Sequence, residues 1–439
     1  MTNDNPISRR EFVATSTVAA AAINSAASAQ EAPLEPLAIL GGRKSVTETV
    51  PAWQRWGDPE AERLDDLLDQ SSLFYWKGQQ TAAFTERFRQ HCPCTHVQTC
   101  SSGTAAIHIA VAAAGIAPGD EVITSPITDI GTVIGILFQQ AVPVFADVEP
   151  HTYNLNPDDV ARKITPRTKA IIPVHLAGNP CDMQRLLALA EQHGLVVIED
   201  CAQAWGAHYR GKPVGTVGHI CCFSMMNSKH ITTGDGGVVA SSDEKLGPLL
   251  QRFGDKGTDR VDRTPLQWLA SNYRMSEAQA AIGAAQLDRL KAIAASRNHL
   301  GRLLTDGLAG LPGLVPQREH ADDRSTYWFY MFRIQPDRFR SDRTQLVKAM
   351  RAEGINASEG YIRQPLYGEK MFQDHSFFAG QWPLRESGGT QMDYREVTCP
   401  EAEAVLQTGI RLRITENMTD TYVRQVAAGI RKVISHYAA

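Results

Sequence analysis

Two spacings of apolar residues alternate along the chain, and they predict its secondary structure. Short apolar, β-branched runs predict strands at 121–126, 142–148, 170–176, 195–200, 220–225 and 237–242. Between them, apolar residues at helical spacing predict helices at 104–114, 134–140 and 183–193. Apolar strands alternating with helices are typical of a mostly parallel central sheet with helices on both faces, so the pattern predicts an α/β fold.

The pattern changes towards both ends of the chain. Helices are predicted at 60–70 and 81–91, and a long helix at 276–302 links the α/β region to the last third. There, a strand at 327–334 and helices at 343–354 and 419–437 predict a smaller C-terminal α+β domain. We therefore expect a linker and N-terminal arm at 30–52, a large domain at 53–300 and a small domain at 301–439.

The first 29 residues have the composition of a targeting segment. The pair Arg9-Arg10, a weakly apolar run and the small residues Ala27-Ser28-Ala29 follow one another in that order. This order resembles a twin-arginine export signal and predicts a periplasmic or exported protein. An alanine-rich tail with an accidental arginine pair, on a cytoplasmic protein, is the alternative. No later stretch is long and apolar enough to predict a membrane span.

Composition and charge narrow the kind of ligand. The 439 residues are 43% hydrophobic and 21% charged with a formal net charge of −4, as in an ordinary globular protein. No basic block favours a nucleic-acid partner, so we expect a small-molecule substrate. The eight cysteines lack zinc-ribbon spacing and are expected to be mostly buried, with a disulfide among Cys92, Cys94 and Cys100 left open.

Three polar groups follow predicted strands or open a predicted helix, where ligands of parallel sheets bind. The small residues 101–104 open a helix and offer free N–H groups to an anion such as phosphate, although taken alone they favour an ordinary serine N-cap. Asp200 ends the strand at 195–200. Lys229 stands in the run FSMMNSKHITTGDGG, where poor solvation lowers an ammonium pKa and leaves an amine able to attack a carbonyl. One reagent that needs all three groups is pyridoxal 5′-phosphate.

A known family shares these features. The stretch 199–237, from EDCAQAW to GDGG, together with SSGTAAIHIAV, IIPVHLAGNP and NYRMSEAQAAIGAAQLDRL, resembles the DegT/StrS-like sugar aminotransferases. These are fold-type I pyridoxal-phosphate enzymes. The resemblance covers residues 50 to 300 well and the tail loosely. The combination of aspartate, lysine and GDGG is specific, whereas each piece alone is not.

The resemblance implies roles for three residues around the cofactor ring. Lys229 would form the Schiff base and later carry the proton between the two carbons of the substrate imine. Asp200 would keep the pyridine nitrogen protonated, and Gln203 would contact the phenolic oxygen of the ring.

It also implies a phosphate site and a dimer. The backbone of Gly103 and Thr104 and the hydroxyl of Ser224 would bind the phosphate, and Asn272 would reach it from a second subunit. A homodimer with a shared active site follows. Asp129 stands where the family has an aromatic residue that stacks on the ring, and it is expected either to bind substrate or cofactor or to cap the following helix.

Three functions are compatible with these features. The first is transfer of an amino group from an amino acid, glutamate or glutamine in this family, to a keto-sugar or keto-cyclitol. The second is sugar dehydration, in which family members carry histidine in place of the lysine, so Lys229 disfavours it. The third is a non-catalytic exported protein that binds the cofactor or a sugar. Tyr361 and Arg363 are further candidates for the mouth of the site.

Overall fold

A seven-stranded sheet forms the centre of the structure, a computed structural model that describes residues 35–439. The predicted signal segment 1–29 lies outside the described residues. The strands, numbered in chain order, are β1 (His96–Cys100), β2 (Glu121–Thr124), β3 (Val142–Phe145), β4 (Thr168–Ile172), β5 (Val196–Asp200), β6 (His208–Tyr209), β7 (Lys212–Pro213), β8 (Ile220–Ser224), β9 (Gly237–Ser241), β10 (Leu314–Pro316), β11 (Tyr330–Ile334), β12 (Ala357–Glu359) and β13 (Gly409–Leu412).

The α-helices are distributed over the whole described chain. They are α1 (Asp58–Leu68), α2 (Gln79–His91), α3 (Gly103–Ala113), α4 (Gly131–Phe138), α5 (Pro157–Lys163), α6 (Met183–His193), α7 (Gly247–Gly254), α8 (Glu277–Leu308), α9 (Arg343–Ala352), α10 (Lys370–Gln373), α11 (Pro383–Glu386), α12 (Pro400–Thr408) and α13 (Asp420–Tyr437). None of the helices between residues 35 and 439 combines the length and the apolarity needed to cross a membrane.

The central sheet is parallel except for one strand. Its order is β1-β9-β8-β5-β4-β2-β3, and only β9 runs against its neighbours. The carboxyl ends of β5 and β8 therefore lie side by side at one edge of the sheet, with Asp200 paired to Cys222 in the register. This arrangement confirms the predicted mostly parallel α/β fold and brings the chain after each of these strands to the same place.

Both faces of the sheet are buried, because successive side chains enter two different apolar clusters. On β5 and β8, Ile198 and Cys222 enter the cluster that includes α3 and α4, whereas Val197 and Cys221 enter the cluster with α2 and α6. A strand buried on both faces needs apolar residues at every position, which is why these strands read as continuous apolar runs.

The last third forms a second, antiparallel sheet of four strands in the order β10-β11-β13-β12. A third apolar cluster joins this sheet to α9, α13 and the end of α8, and it takes in Leu37 and Val46 from the segment predicted as an N-terminal arm. The long helix α8 begins at a capping box, in which the Ser276 hydroxyl accepts from the Gln279 N–H at 3.3 Å. It continues past residue 302 to Leu308, so the predicted domain division at 300 falls inside it. That division stays a prediction.

The spacing of apolar residues did not predict several short strands and helices. The edge strand β1 reads HVQTC, which has neither an apolar run nor strict alternation, and it was not predicted. Strand β13 and the helices α5, α7 and α12 were also missed. These elements contain few residues, so a period cannot be recognised in them, and their packing against the larger elements decides their conformation.

Candidate active site

A cavity of about 190 Å³ opens at the carboxyl ends of β5 and β8. Its walls are formed by residues at the start of α3, at and after the ends of β5 and β8, and in the C-terminal third of the chain. Its lining includes Ser102, Gly103, Thr104, Thr128, Asp129, Thr132, Asp200, Gln203, Ser224, Lys229, Asp235, Trp328 and Tyr361. All the residues that the sequence singled out for the cofactor are in this set except Asn272.

Lys229 lies in the turn after β8 and is only 6% exposed. Its ammonium nitrogen is 3.6 Å from the centroid of the Trp328 indole ring, a cation–π contact. Burial lowers the pKa of Lys229 to about 8, against the opposing effect of the Asp200 and Asp129 carboxylates. About a tenth of this amine is therefore neutral, and nucleophilic, at pH 7, whereas an amine with the ordinary pKa would be almost fully charged.

The backbone around Lys229 is held from two distant segments. The guanidinium of Arg55 donates to the carbonyls of Asn227 and Lys229, and the Trp328 indole N–H donates to the Ser228 carbonyl at 2.8 Å. Arg55 is itself buried, and burial lowers its pKa to about 10. Sequence reasoning missed both Arg55 and Trp328, since nothing in their local patterns relates them to the turn that carries the lysine.

Asp200 ends β5 with its carboxylate in the cavity. One oxygen accepts from the Ala202 N–H at 3.0 Å, and the other accepts from the Thr132 hydroxyl at 2.8 Å. Burial raises the pKa of Asp200, and these two donors and the Lys229 ammonium act in the opposite direction. The carboxylate is thus placed so that a cationic partner in the cavity would stabilise its charged form.

Behind Asp200, a buried imidazole supports the floor of the site. The Cys181 N–H donates to Nδ1 of His175 at 3.0 Å, so the proton is on Nε2, which donates to Glu199 at 3.1 Å. Burial acts to raise the pKa of Glu199, but the bonds from His175 and from the N–H groups of Gly215 and Gly218 outweigh it and leave that pKa below its ordinary value. His175 and Asn179 are buried and do not line the cavity.

Gln203 connects two walls of the cavity. Its amide oxygen accepts from the Ala177 N–H at 2.8 Å, and its amide nitrogen is 3.4 Å from the Tyr361 hydroxyl. Tyr361 stacks on Phe329, with ring centroids 5.0 Å apart. The polar groups of Gln203 and Tyr361 therefore line the cavity, and packing and hydrogen bonds hold both side chains in place. Arg363, by contrast, is exposed and does not line the cavity.

The start of α3 supplies an unpaired set of donors. The Ser102 hydroxyl caps the helix by accepting from the Ala105 N–H at 3.0 Å. The N–H groups of Gly103 and Thr104 have no acceptor among residues 35–439 and face the cavity end of the helix. A Cβ on Gly103 would lie 2.6 Å from the Cβ of Ser224, so only glycine permits this close approach. Both interpretations of this segment hold, because the serine caps the helix and two donors remain for an anion.

Asp129 also has a local role. One of its oxygens accepts from the Gly131 N–H at 2.8 Å, where α4 begins. Its other oxygen has no donor in the described part of the chain, and the side chain is exposed at the cavity wall. Ile130 is the N-cap residue of α4, so Asp129 closes the turn before the helix and is not its N-cap, and one carboxylate oxygen remains available to a ligand.

Asn272 does not reach this cavity. It is exposed, and its amide oxygen is 3.4 Å from the Arg274 N–H, while Arg274 forms an ion pair with Asp255 at 3.0 Å. Its predicted contact with the phosphate requires a second subunit and stays a prediction.

A second cavity of about 390 Å³ adjoins the first, and Trp328 lines both. Three guanidinium groups line it, those of Arg297, Arg411 and Arg413. Arg297 pairs with Glu416 at 2.7 Å. The guanidinium groups of Arg411 and Arg413 have neither a hydrogen-bond acceptor nor a carboxylate partner within residues 35–439, and they lie over the rings of Phe329 and Trp53. The Nε of Arg411 is buried without an acceptor, whereas Arg413 is exposed. A buried guanidinium donor that lacks an acceptor suits an anionic ligand.

All eight cysteines are free and buried, as expected for small apolar side chains. The Sγ atoms of Cys92 and Cys94 are 3.7 Å apart and not bonded in this structure, and a disulfide among Cys92, Cys94 and Cys100 stays an open prediction.

Comparison with known proteins agrees with this site. A sequence profile of the DegT/DnrJ/EryC1/StrS aminotransferase family matches residues 56–431. The GDP-perosamine synthase of Caulobacter vibrioides is 38% identical over 64% of this chain and 76% of its own length. A putative L-glutamine:3-amino-2,3-dideoxy-scyllo-inosose aminotransferase of Streptoalloteichus tenebrarius is 34% identical over 84% and 89%. The solved structure of an aminotransferase from Psychrobacter cryohalolentis is 30% identical, with a TM-score of 0.79 over 89% of this chain and 100% of that one.

The fold, the cavity shared by Lys229 and Asp200, and these likenesses define an enzyme of the class of pyridoxal-phosphate-dependent aminotransferases. Within that class, the chain belongs to the DegT/DnrJ/EryC1/StrS aminotransferase family. The resemblance of the sequence to this family is thereby confirmed.

Proposed function

We propose that the protein transfers an amino group from an amino acid, glutamate or glutamine, to a keto-sugar or keto-cyclitol, with pyridoxal 5′-phosphate held in the 190 Å³ cavity. The single observation that carries this proposal is that the buried Lys229 amine, whose pKa is lowered to about 8, shares that cavity with the Asp200 carboxylate and two free helix N–H groups.

The residues present fit this cofactor at each of its polar groups. The free N–H groups of Gly103 and Thr104, with the positive end of the α3 dipole, suit a phosphate beside the Ser224 hydroxyl. A buried carboxylate at Asp200 with a raised pKa is stabilised by a protonated pyridine nitrogen. Lys229 supplies the amine that reacts with the aldehyde.

Each of these side chains then has a defined task. The bound cofactor supplies an electron-withdrawing ring that stabilises negative charge on the substrate carbon. Asp200, fixed by Thr132 and Ala202, holds the proton on the ring nitrogen. The Lys229 Nζ would take the proton from the α-carbon of the amino acid and give it to the carbon on the other side of the transferred nitrogen. The contact with Trp328 and the carbonyl bonds of Arg55 keep that amine over the cavity.

The acceptor class rests on the relatives and on the second cavity. The names of two relatives specify perosamine synthesis on a GDP-sugar and amination of an inosose with L-glutamine. In this chain, the unpaired guanidiniums of Arg411 and Arg413 lie across Trp328 from Lys229. We infer that an anionic substituent of the acceptor binds these arginines while its keto carbon lies at Lys229.

Dehydration is disfavoured because the reactive position holds Lys229. The neighbouring His230 does not replace it, since its Nε2 lies 3.0 Å from the Thr326 carbonyl and its side chain is completely buried.

Two further parts of the proposal concern assembly and location. A homodimer would bring Asn272 of a second copy to the phosphate, in keeping with the exposure of that side chain in one chain. Export through the twin-arginine route carries folded proteins, so cofactor insertion would precede transport, and the acceptor would be one present outside the cytoplasm.

The spectral half-reaction tests the function. Purified protein saturated with the cofactor is mixed with a panel of amino acids, and we expect glutamate or glutamine to remove the visible absorbance of the lysine-bound cofactor. Keto-sugars and keto-cyclitols added next should restore it. In Lys229→Ala, which keeps the cavity but loses the amine, that absorbance should be absent while circular dichroism is unchanged.

An unaltered spectrum with every amino acid would favour the non-catalytic alternative of a cofactor-binding or sugar-binding protein. If the spectra of Lys229→Ala are unchanged, the amine that reacts with the cofactor belongs to another lysine.

A further inference from the structure

Three cysteine thiols converge away from the active site, although they come from separate parts of the chain. Cys92 follows α2, Cys94 precedes β1, and Cys221 is the second residue of β8. Their Sγ atoms all lie within 4.8 Å of one another, and those of Cys92 and Cys94 are 3.7 Å apart. The proposed amino transfer uses none of these thiols.

The spacing suits a metal ion bound by thiolates. Zinc–sulfur bonds of about 2.3 Å at tetrahedral angles place two sulfur atoms about 3.8 Å apart. The pair Cys92 and Cys94 already has this separation, and Cys221 lies within reach of the same centre. Zinc and copper(I) are the biological ions that select soft thiolate ligands.

The cluster is buried close to the surface. A Cβ on Gly215 would lie 2.8 Å from the Phe223 ring and 3.2 Å from the Sγ of Cys92, so a residue without a side chain is required beside the sulfur atoms. The thiols themselves are buried, at 3% exposure for Cys92 and 5% for Cys94, whereas Pro93 and Thr95 are exposed. The turn at Pro93 therefore gives an ion a short path from solvent to the sulfur atoms.

We propose that Cys92, Cys94 and Cys221 form a binding site for one thiophilic d¹⁰ metal ion, zinc(II) or copper(I). Binding requires no oxidant. Protons still on the thiols pass to solvent, three metal–sulfur bonds form, and a fourth position stays open to water. The ion would fasten the end of α2 and the start of β1 to β8, the strand that leads to Ser224 and Lys229.

The experiment uses the full chain with its cofactor, purified under reducing conditions, and measures metal content and cadmium binding. Zinc(II) and copper(I) are offered separately at equal concentration, and bound metal per chain is determined after gel filtration. Cadmium(II) serves as an optical probe because its thiolate bonds absorb in the ultraviolet. We expect one ion per chain and a thiolate absorbance band that saturates at one equivalent.

The neighbouring residue supplies a matched control. Cys221→Ser should lose the band and weaken binding at least 100-fold, while Cys222→Ser should bind as the wild type does, since Cys222 enters the apolar cluster on the other sheet face. Cys94→Ser, near the surface, tests the same site if Cys221→Ser does not fold, and cofactor absorbance reports folding in each variant.

Three outcomes would overturn the site: no metal retained by the wild type, equal loss in Cys221→Ser and Cys222→Ser, or a mass lower by two hydrogens that reveals a disulfide. A preference for one ion decides between zinc(II) and copper(I). Because none of these readouts depends on amino transfer, the result is independent of the proposed function.

Discussion

The Lys229 ammonium lies 3.6 Å from the centre of the Trp328 ring, and this contact joins the catalytic turn of the large sheet to the segment that enters the second sheet. An indole face stabilises a cation only partly, whereas burial removes the water that would stabilise it fully. Burial lowers the pKa of Lys229 to about 8 from its ordinary value of 10.5, against the opposing effect of the Asp200 and Asp129 carboxylates. Several measurable properties depend on that balance and on its neighbours.

The buried amine makes stability depend on pH. Below the folded-state pKa of about 8, Lys229 is charged in the folded and unfolded protein, and the full cost of its burial is present. As pH rises towards 10.5, the unfolded chain holds the proton longer than the folded one, so the free energy of unfolding increases. We expect Lys229 to contribute an increase of about 2 kcal/mol between about pH 7 and about pH 9.5 in cofactor-free protein.

Lys229→Met isolates this contribution, because it fills similar space without a titrating group. Urea unfolding at the two pH values should show the variant more stable than the wild type near neutral pH, with the difference shrinking at the higher pH. A difference that stays constant would mean that the amine keeps its ordinary pKa in the fold.

Gly103→Ala should weaken the phosphate site. Its new Cβ would lie 2.6 Å from the Cβ of Ser224, so α3 must move away from β8 and carry its two free N–H groups with it. We expect cofactor affinity to fall at least tenfold and stability to fall by about 1–3 kcal/mol. Equilibrium titration of the apoenzyme measures the first, and Gly57→Ala, where the nearest atom is 3.4 Å away, is the control. Equal cofactor affinity in Gly103→Ala and Gly57→Ala would mean that the phosphate does not bind at the start of α3.

Arg411→Gln should affect one substrate and not the other. The Nε of Arg411 is buried without an acceptor, and a bound anion would supply the missing acceptor. We expect the KM for an anionic acceptor to rise about tenfold or more, with the amino-acid half-reaction unchanged. Arg424→Gln, at an exposed position on α13, is the control. If the donor half-reaction slows equally in Arg411→Gln, the arginine serves the amino acid instead.

Mixing two inactive variants tests the shared active site. Lys229→Ala lacks the amine, and Asn272→Ala would lack the phosphate contact offered to the other subunit. In a mixed dimer one of the two sites regains both residues, so refolding equal amounts together should restore about a quarter of wild-type activity. Substantial activity of Asn272→Ala by itself would mean that Asn272 does not belong to the active site. Absence of recovery, with both variants inactive, would place both residues in one subunit.

The candidate site could be predicted where the local sequence carries the chemistry. Asp200 ends a continuous apolar strand, Lys229 interrupts a glycine-rich run, and Gly103 opens a helix, so each could be located before the fold was known. Since parallel strands align their carboxyl ends, the two strand-end residues were also expected to meet. Arg55 and Trp328 could not be found in this way, because their function lies in contacts with a turn far away in the chain.

By itself, then, the sequence determined the α/β fold, the family, and the lysine, aspartate and glycine of the candidate site. The periodicity of apolar residues and the residue types that the chemistry requires can both be recognised in the local sequence, without knowledge of the contacts between distant segments. Only the tertiary structure decided which side chains surround the amine, that Arg411 and Arg413 face one cavity, and that Cys92, Cys94 and Cys221 meet. Such contacts arise when separate segments pack together, and packing is decided by the shape of the whole core.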